Sequence, residues 1–316
     1  MPDTSGPTTQ RETLGAFVLA ALGYTAIVLL LFHGLIGQFS TALPHDLGDP
    51  LLSTSVLWWN AHRLPFVGTW WDGLSFFPGH GSLAFSDHRV GLTLFANPVQ
   101  WLGGTPVLAY NITLLSSFVL AALAAHALAW TLTRSHAAGA VAGLIFGFNP
   151  FRMSHVAHLE LLAVCWLPLA FVALHLYVRR FETRWLVLFA VLWLIQGLSS
   201  GYYLFYSAPV IALWTVWFAR DRLWRSLVSV GVACAAVFVV LSPVFLRYQQ
   251  IQSQLLLARG FGEIEFFSAD VTGILSATPT MAPATAHSSR RRIWSGVGRL
   301  PGCFTSSSKW RPRIDP

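Results

Sequence analysis

Three short polar stretches interrupt an otherwise apolar chain, and each holds residue types able to move protons or grip anions. The first, "HDLGDP" at 45–50, contains Asp46 and Asp49. A carboxylate there can take a proton from a hydroxyl or hold that hydroxyl in line for attack. Asp49 also has a plain structural job, because Asp before Pro50 is a strong helix start, with Asp as N-cap and Pro at the first helical position. Asp46 has no such explanation. The second stretch, "FSDHRVG" at 85–91, places Asp87, His88 and Arg89 in succession on a loop, with Asp72 and His80 shortly before them among Gly and Pro. The third, "GFNPFRMSHVAHLELL" at 147–162, is the densest between two apolar runs. Within it His155 and His158 would share one face of a starting helix while Glu160 points elsewhere. Two imidazoles at this spacing are a weak metal signal, since a third ligand is missing. Arg152 can grip a phosphate as a bidentate donor or extend its head into a lipid headgroup layer, and the sequence weighs these equally. Taken singly, such residues usually serve as caps or solvated loop groups. Their concentration is what points to a site.

The elements that position them must be helices in a membrane. The chain is 54% hydrophobic and 10% charged, with a mean hydropathy of +0.57. Soluble domains run at roughly 45–50% apolar and about 25% charged. Apolar runs at 15–37, 107–132, 137–148, 159–178, 185–198, 202–219 and 227–246 predict an all-α, polytopic integral membrane protein with about seven transmembrane helices. In lipid each run has to be helical, because any open backbone would be left unpaired. The runs at 137–148 and 185–198 are short for a full span. Residues 1–14 read as a cytoplasmic leader, and the first run is too long for a signal-peptide core, so it reads as a retained anchor.

Loop charge sets the orientation. Arg134, then Arg179, Arg180 and Arg184, then Arg220, Arg222 and Arg225 fall on one side under strict alternation, which the positive-inside rule assigns to the cytoplasm together with the N-terminus. The opposite side receives a long first loop at 38–106, the loop near 149–158, the turn "SSGYY" with Tyr202, and the stretch after Arg247. Within the long loop, the Trp-rich stretch at 51–62 and the segment near 97–101 are expected as juxtamembrane helices. All the polar stretches therefore face outward, and the expected location is the inner membrane of a bacterium.

Composition excludes other classes. Cys165, Cys234 and Cys303 are too few and scattered for a disulfide framework or a metal knuckle. The segment 271–316 is a polar, basic tail; from 286 onward it holds seven basic residues and one acidic, most of the net charge of +7. It reads as disordered or as an aberrant, truncating terminus, and with no folded platform behind it no nucleic-acid partner is expected.

The layout resembles the GT-C superfamily of membrane glycosyltransferases. The order is one span, acidic "HDLGDP", the stretch at 51–62, "SDHR", the stretch at 97–101, then closely spaced apolar runs, and "FNPFRMSHVAHLELLAVCWLPLAF" at 148–171 is similar to uncharacterised bacterial YfhO-like members. The resemblance covers about residues 14–270 and implies transfer of a sugar from a polyprenyl-phosphate donor to an extracytoplasmic acceptor. It also implies a catalytic carboxylate in the first outer loop, which by position is Asp46 or Asp49. Substrate binding would then fall to Asp87, His88, Arg89, Arg152, His155, His158, Tyr202 and Arg247, the arginines stabilising the departing phosphate. Lipids are the surrounding partners. The sequence requires no cofactor; a divalent metal is compatible with it but has no supporting motif, since His155 and His158 stand where many members carry an acidic residue. Members usually continue into further spans, where this chain has its tail, so a truncated or inactive enzyme is one expectation. A transporter or flippase of a lipid-linked substrate, with His126 as the intramembrane ionisable candidate, and a non-catalytic membrane assembly partner are the other classes.

Overall fold

The computed structural model describes residues 7–45, 47–75, 79–255 and 260–262, all within one compact unit, Met1–Ser268. Ala269–Pro316 is a second unit; it carries the basic tail, and like Asp46 it lies outside the described residues. Among the described residues the only regular elements are helices. In chain order these are α1 (Pro7–Leu31), α2 (His33–Ile36), α3 (Asp49–His62), α4 (Thr93–Trp101), α5 (Pro106–Thr133) and α6 (His136–Gly147). There follow α7 (Pro150–Ser154), α8 (Leu159–Leu162), α9 (Trp166–Arg180), α10 (Thr183–Ser199), α11 (Gly201–Phe218) and α12 (Leu223–Leu255). Three short 3₁₀ turns lie between α3 and α4, at Gly68–Trp71, Ser82–Phe85 and Val90–Leu92.

The described residues are all-α, and among them four stretches are long and apolar enough to cross a membrane: Glu12–Leu31, Pro106–Thr133, Leu159–Arg180 and Arg220–Gln254. Thr183–Ser199 is a shorter apolar helix. These helices turn apolar side chains outward, with Leu19, Leu30 and Val239 about 70% exposed, an arrangement that lipid satisfies and water does not.

Helix starts follow local chemistry. The Thr105 hydroxyl accepts from the Leu108 N–H at 3.1 Å with Pro106 next in line, Ser135 does the same for Ala138 at 3.3 Å, and the Asn149 carbonyl oxygen accepts from Arg152 N–H at 3.0 Å ahead of Pro150. Each cap satisfies an amide that the helix leaves orphaned. At the other end, Arg134 (φ 59°) and Phe181 (φ 55°) close α5 and α9 in the left-handed conformation.

Packing of α6 depends on Gly139, Gly143 and Gly147, which share one face. A Cβ at these positions would overlap His126, the Tyr24 hydroxyl and Ala122, so hydrogen is the only side chain that lets α6 sit this close to α5 and α1. Among the described residues there are three apolar cores. One, around Trp193 and Phe189, joins α9 to α12; a second, around Tyr110 and Phe118, joins α1, α3, α4 and α5; the third, around Trp59 and Trp70, holds α3 against the 3₁₀ turns that follow it.

The loop at 86–92 enters two of these cores, through Leu92 and Val90, and is pinned from three helices. From α3, the Asn60 amide donates to the His88 carbonyl at 2.8 Å, while its carbonyl oxygen accepts from the Trp70 indole at 2.8 Å. From α12, the Tyr248 hydroxyl donates to the Ser86 carbonyl at 2.8 Å. From α10, the Ser199 side chain and the Ile195 carbonyl occupy the space a Cβ at Gly91 would need. Any other residue there would lift the loop off α10.

Candidate functional site

Arg89 holds the centre of the pinned loop. Its backbone is left-handed (φ 53°), a conformation that costs a non-glycine residue about 1–2 kcal/mol. The surroundings hold it there: Nη2 donates to Glu160 Oε2 at 3.0 Å, and Nη1 to the Asp87 carbonyl at 2.7 Å and to the Ser86 hydroxyl at 3.3 Å. This ion pair is sealed, with the Arg89 side chain 2% and the Glu160 side chain 11% exposed.

From Glu160 the charges continue outward. His158 Nδ1 lies 3.7 Å from Glu160 Oε1 and 3.1 Å from Asp49 Oδ2. Asp49, His158, Glu160 and Arg89 therefore form one line drawn from all three polar stretches, with a buried inner pair and a half-exposed outer pair. The His155 ring stands 5.6 Å from that of His158, its Nδ1 against the Phe151 carbonyl at 2.8 Å.

The sequence-based expectation for Asp49 needs correction. The N-cap of α3 is Gly48, Asp49 is the first helical residue, and its carboxylate is used on His158 instead of on a helix amide. Its charge still favours the positive end of the helix. The expected separation of Glu160 from the histidines is also corrected. It assumed one continuous helix, whereas α7 stops at Ser154 and α8 begins at Leu159, so the intervening turn carries His158 and Glu160 to the same side.

Arg152 does neither job expected of it. Only 2% exposed, it donates through Nε to the Gly147 carbonyl at 3.0 Å, through Nη1 to Leu162 at 2.9 Å and through Nη2 to Ser117 at 3.0 Å, tying α5, α6 and α8 together. Burial draws its pKa down to about 10, so it is still a cation at neutral pH. His88 is also structural: its buried ring packs near Phe66, Trp70 and Tyr248, and Nδ1 accepts from the Val90 N–H at 3.1 Å. Tyr202 is half exposed in the first turn of α11, whereas its neighbour Tyr203 supports α8 by donating to the Leu161 carbonyl at 2.6 Å. Arg247 donates to Gln250 Oε1 at 2.9 Å, facing the Gly81 loop.

Asp87 is half buried beside this line and borders a cavity of about 200 Å³. The cavity lies between the loop, the α10–α11 turn with Ser199 and Ser200, and the α12 residues Leu241, Phe245 and Tyr248. Sequence reasoning missed Ser200 and Tyr248 as wall residues and Glu160 as the partner of Arg89. For Glu160 a signal existed: a carboxylate entering an apolar helix must find a counter-charge. Among the described residues no group of three His, Cys, Asp or Glu is arranged to hold a metal ion.

The pH response of the loop follows from two opposed shifts. Burial, helped by Glu160 and resisted by Arg89, raises the Asp87 pKa from 3.8 to about 6, so Asp87 stabilises the fold at low pH and loses that contribution as pH rises through 6. Burial, helped by Arg89, lowers the His88 pKa from 6.5 to about 4, so His88 contributes above 6.5 and loses its contribution as pH falls through 4. Between pH 4 and 6 the two slopes oppose each other. Asp87→Asn should therefore unmask His88 and make the melting temperature climb across this window more steeply than in the parent. A variant with an unchanged slope would show that Asp87 is not held protonated.

No family model, curated protein or solved structure matches the chain.

Proposed function

We propose that this chain is a membrane glycosyltransferase of GT-C type that moves a sugar from a polyprenyl-phosphate donor to an acceptor on the extracytoplasmic side of a bacterial inner membrane. The observation that carries this reading is the half-exposed Asp49–His158 pair backed by the sealed Glu160–Arg89 pair. In the reaction the acceptor hydroxyl gives its proton to the Asp49 carboxylate as its oxygen bonds to the sugar's anomeric carbon. The bond from that carbon to the phosphate oxygen breaks, and the phosphate leaves with the electron pair. His158 orients Asp49, and Glu160 fixes His158. His155 and Arg247 are the remaining cationic or donor groups for the leaving phosphate, since Arg152 is fully engaged and Arg89 is matched by Glu160.

The topology that goes with this reading has seven spans, α1, α5, α6, α8 with α9, α10, α11 and α12, with the N-terminus in the cytoplasm and α3 and α4 along the outer surface. Arginines stacked on tryptophan at one end of the bundle support it: Arg134 over Trp130 at 4.6 Å, Arg184 over Trp185 at 5.2 Å and Arg220 over Trp217 at 5.7 Å. The His80 side chain is 91% exposed. In a cysteine-free background, His80→Cys is expected to react with an impermeant thiol reagent on intact cells, and Thr183→Cys is expected to stay unlabelled. The reverse pattern would put the acidic loop in the cytoplasm and end this reading.

One observation favours a transporter instead. Tyr24 hydroxyl meets His126 Nδ1 at 3.0 Å and His126 Nε2 meets His136 Nδ1 at 3.1 Å, a chain of ionisable groups among spans. Proteoliposomes holding the purified chain and labelled polyprenyl-phosphate hexose separate the two. Release of polyprenyl phosphate with label in a new product is the expected result, whereas movement of intact donor between leaflets without cleavage favours the transporter.

A further inference from the structure

The cavity beside Asp87 plays no part in the acid–base pair, yet its wall is built for a ligand. Asp87 and Arg89 line it from the loop, Ser200 from the α10–α11 turn, and Leu241, Phe245 and Tyr248 from α12. Arg89 is 2% and Ser200 1% exposed, and neither Arg89 Nε nor Ser200 Oγ has a hydrogen-bond partner among the described residues. Buried polar atoms are nearly always partnered, so two orphans on residues that line one cavity leave its lining short of hydrogen-bond partners. The Tyr248 hydroxyl has given its proton to the Ser86 carbonyl and keeps lone pairs to accept with.

Charge and size narrow the ligand. The guanidinium of Arg89 is already matched by Glu160 at 3.0 Å, so the wall has no spare positive charge, and Asp87 adds a carboxyl. An anion would meet that carboxyl without a counter-charge. A neutral polyhydroxyl ring would find donors and acceptors together, with its C–H face against Phe245 and Leu241. At pH 7.5, above its raised pKa of about 6, the Asp87 carboxyl is ionised and accepts hydrogen bonds from ring hydroxyls. The volume of about 200 Å³ gives room for one monosaccharide ring.

We infer that this cavity receives a single uncharged sugar ring and rejects acidic sugars. The assignment rests on the glycosyltransferase reading and adds to it a neutral-sugar subsite at the Arg89 end of the charged line.

The test uses the full chain in lipid nanodiscs, titrated at pH 7.5 with butyl β-D-glucopyranoside and butyl β-D-glucuronide and read by tryptophan fluorescence. The Trp71 ring lies 5.8 Å from Tyr248 and would report occupancy. Saturable binding of the glucoside is expected, with the glucuronide weaker by about tenfold or more. Ser200→Ala should weaken the glucoside severalfold, Leu241→Trp should fill the cavity and abolish its binding, and Asp87→Asn should bring the glucuronide to within about threefold of the glucoside. Equal binding of the two glycosides, preference for the glucuronide, or no saturable signal would overturn the inference. Transfer measured on the same preparations separates the two ideas: hexose transfer unaffected by Ser200→Ala and Leu241→Trp sinks the cavity assignment alone. Selective glucoside binding with no transfer keeps the cavity as a sugar site and sinks the glycosyltransferase reading.

Discussion

Glu160→Ala is expected to lower folding stability by about 3–5 kcal/mol, more than any substitution in the outer pair, because it strands a buried guanidinium without its counter-charge. The Arg89 side chain is 2% exposed and has no water-facing conformation to retreat to while Asn60, Tyr248 and the α10 end hold its loop. Arg89→Met should cost somewhat less, since Glu160 keeps His158 beside it at 3.7 Å. The double variant Arg89→Met with Glu160→Leu should recover most of the loss, as buried ion pairs are often replaced by apolar groups at little cost. Melting temperatures in one detergent check all three. If the double variant is as unstable as Glu160→Ala, the pair is not what secures the loop.

Asp49→Asn is expected to reduce sugar transfer by about 100-fold or more while leaving the melting temperature nearly unchanged. The substitution keeps shape and hydrogen bonding but removes the basicity, and its ion pair with His158 is half exposed, with side chains 46% and 40% accessible. Such pairs contribute at most about 1 kcal/mol to stability. Because Asp49 is the first residue of α3, loss of its charge also gives up a favourable interaction with the helix end, worth about 0.3–1 kcal/mol. His158→Gln should lower transfer less than Asp49→Asn, since it disturbs the orientation of the base and not the base itself. Asp46→Asn is the control. Full activity in Asp49→Asn with collapse in Asp46→Asn would move the general base to Asp46, and full activity in both would remove this stretch from the chemistry.

The helical architecture was legible because its causes are local. An apolar run in lipid has one way to satisfy its backbone, and Thr105 before Pro106, Ser135, and Asn149 before Pro150 start helices wherever they occur. The clustering of chemistry was legible for a similar reason: polar residues had to leave the apolar runs, so the stretches at 45–50, 85–91 and 147–162 stood out by type alone. Asp49, Asp87, Arg89 and His158 do meet.

What each of them meets was decided by the tertiary structure. Arg89 and Glu160 are 71 residues apart, and no periodicity links a loop residue to a carboxylate on another element. Arg152 shows the difference most clearly. By type and place it could serve a phosphate, and only the fold, by ending α6 and placing α5 and α8 within reach of its guanidinium, commits it to three backbone carbonyls. The break between α7 and α8 likewise turned Glu160 toward His158, because backbone direction in a short connection is set by the packing of the elements it joins. Residue type and hydropathy thus determined that this chain is helical, suited to a membrane, and polar in three places. Which charge neutralises which, which arginine is spent on structure, and that Asp87 borders a cavity were settled only when the helices packed around the loop, since burial and distance are properties of the packed chain.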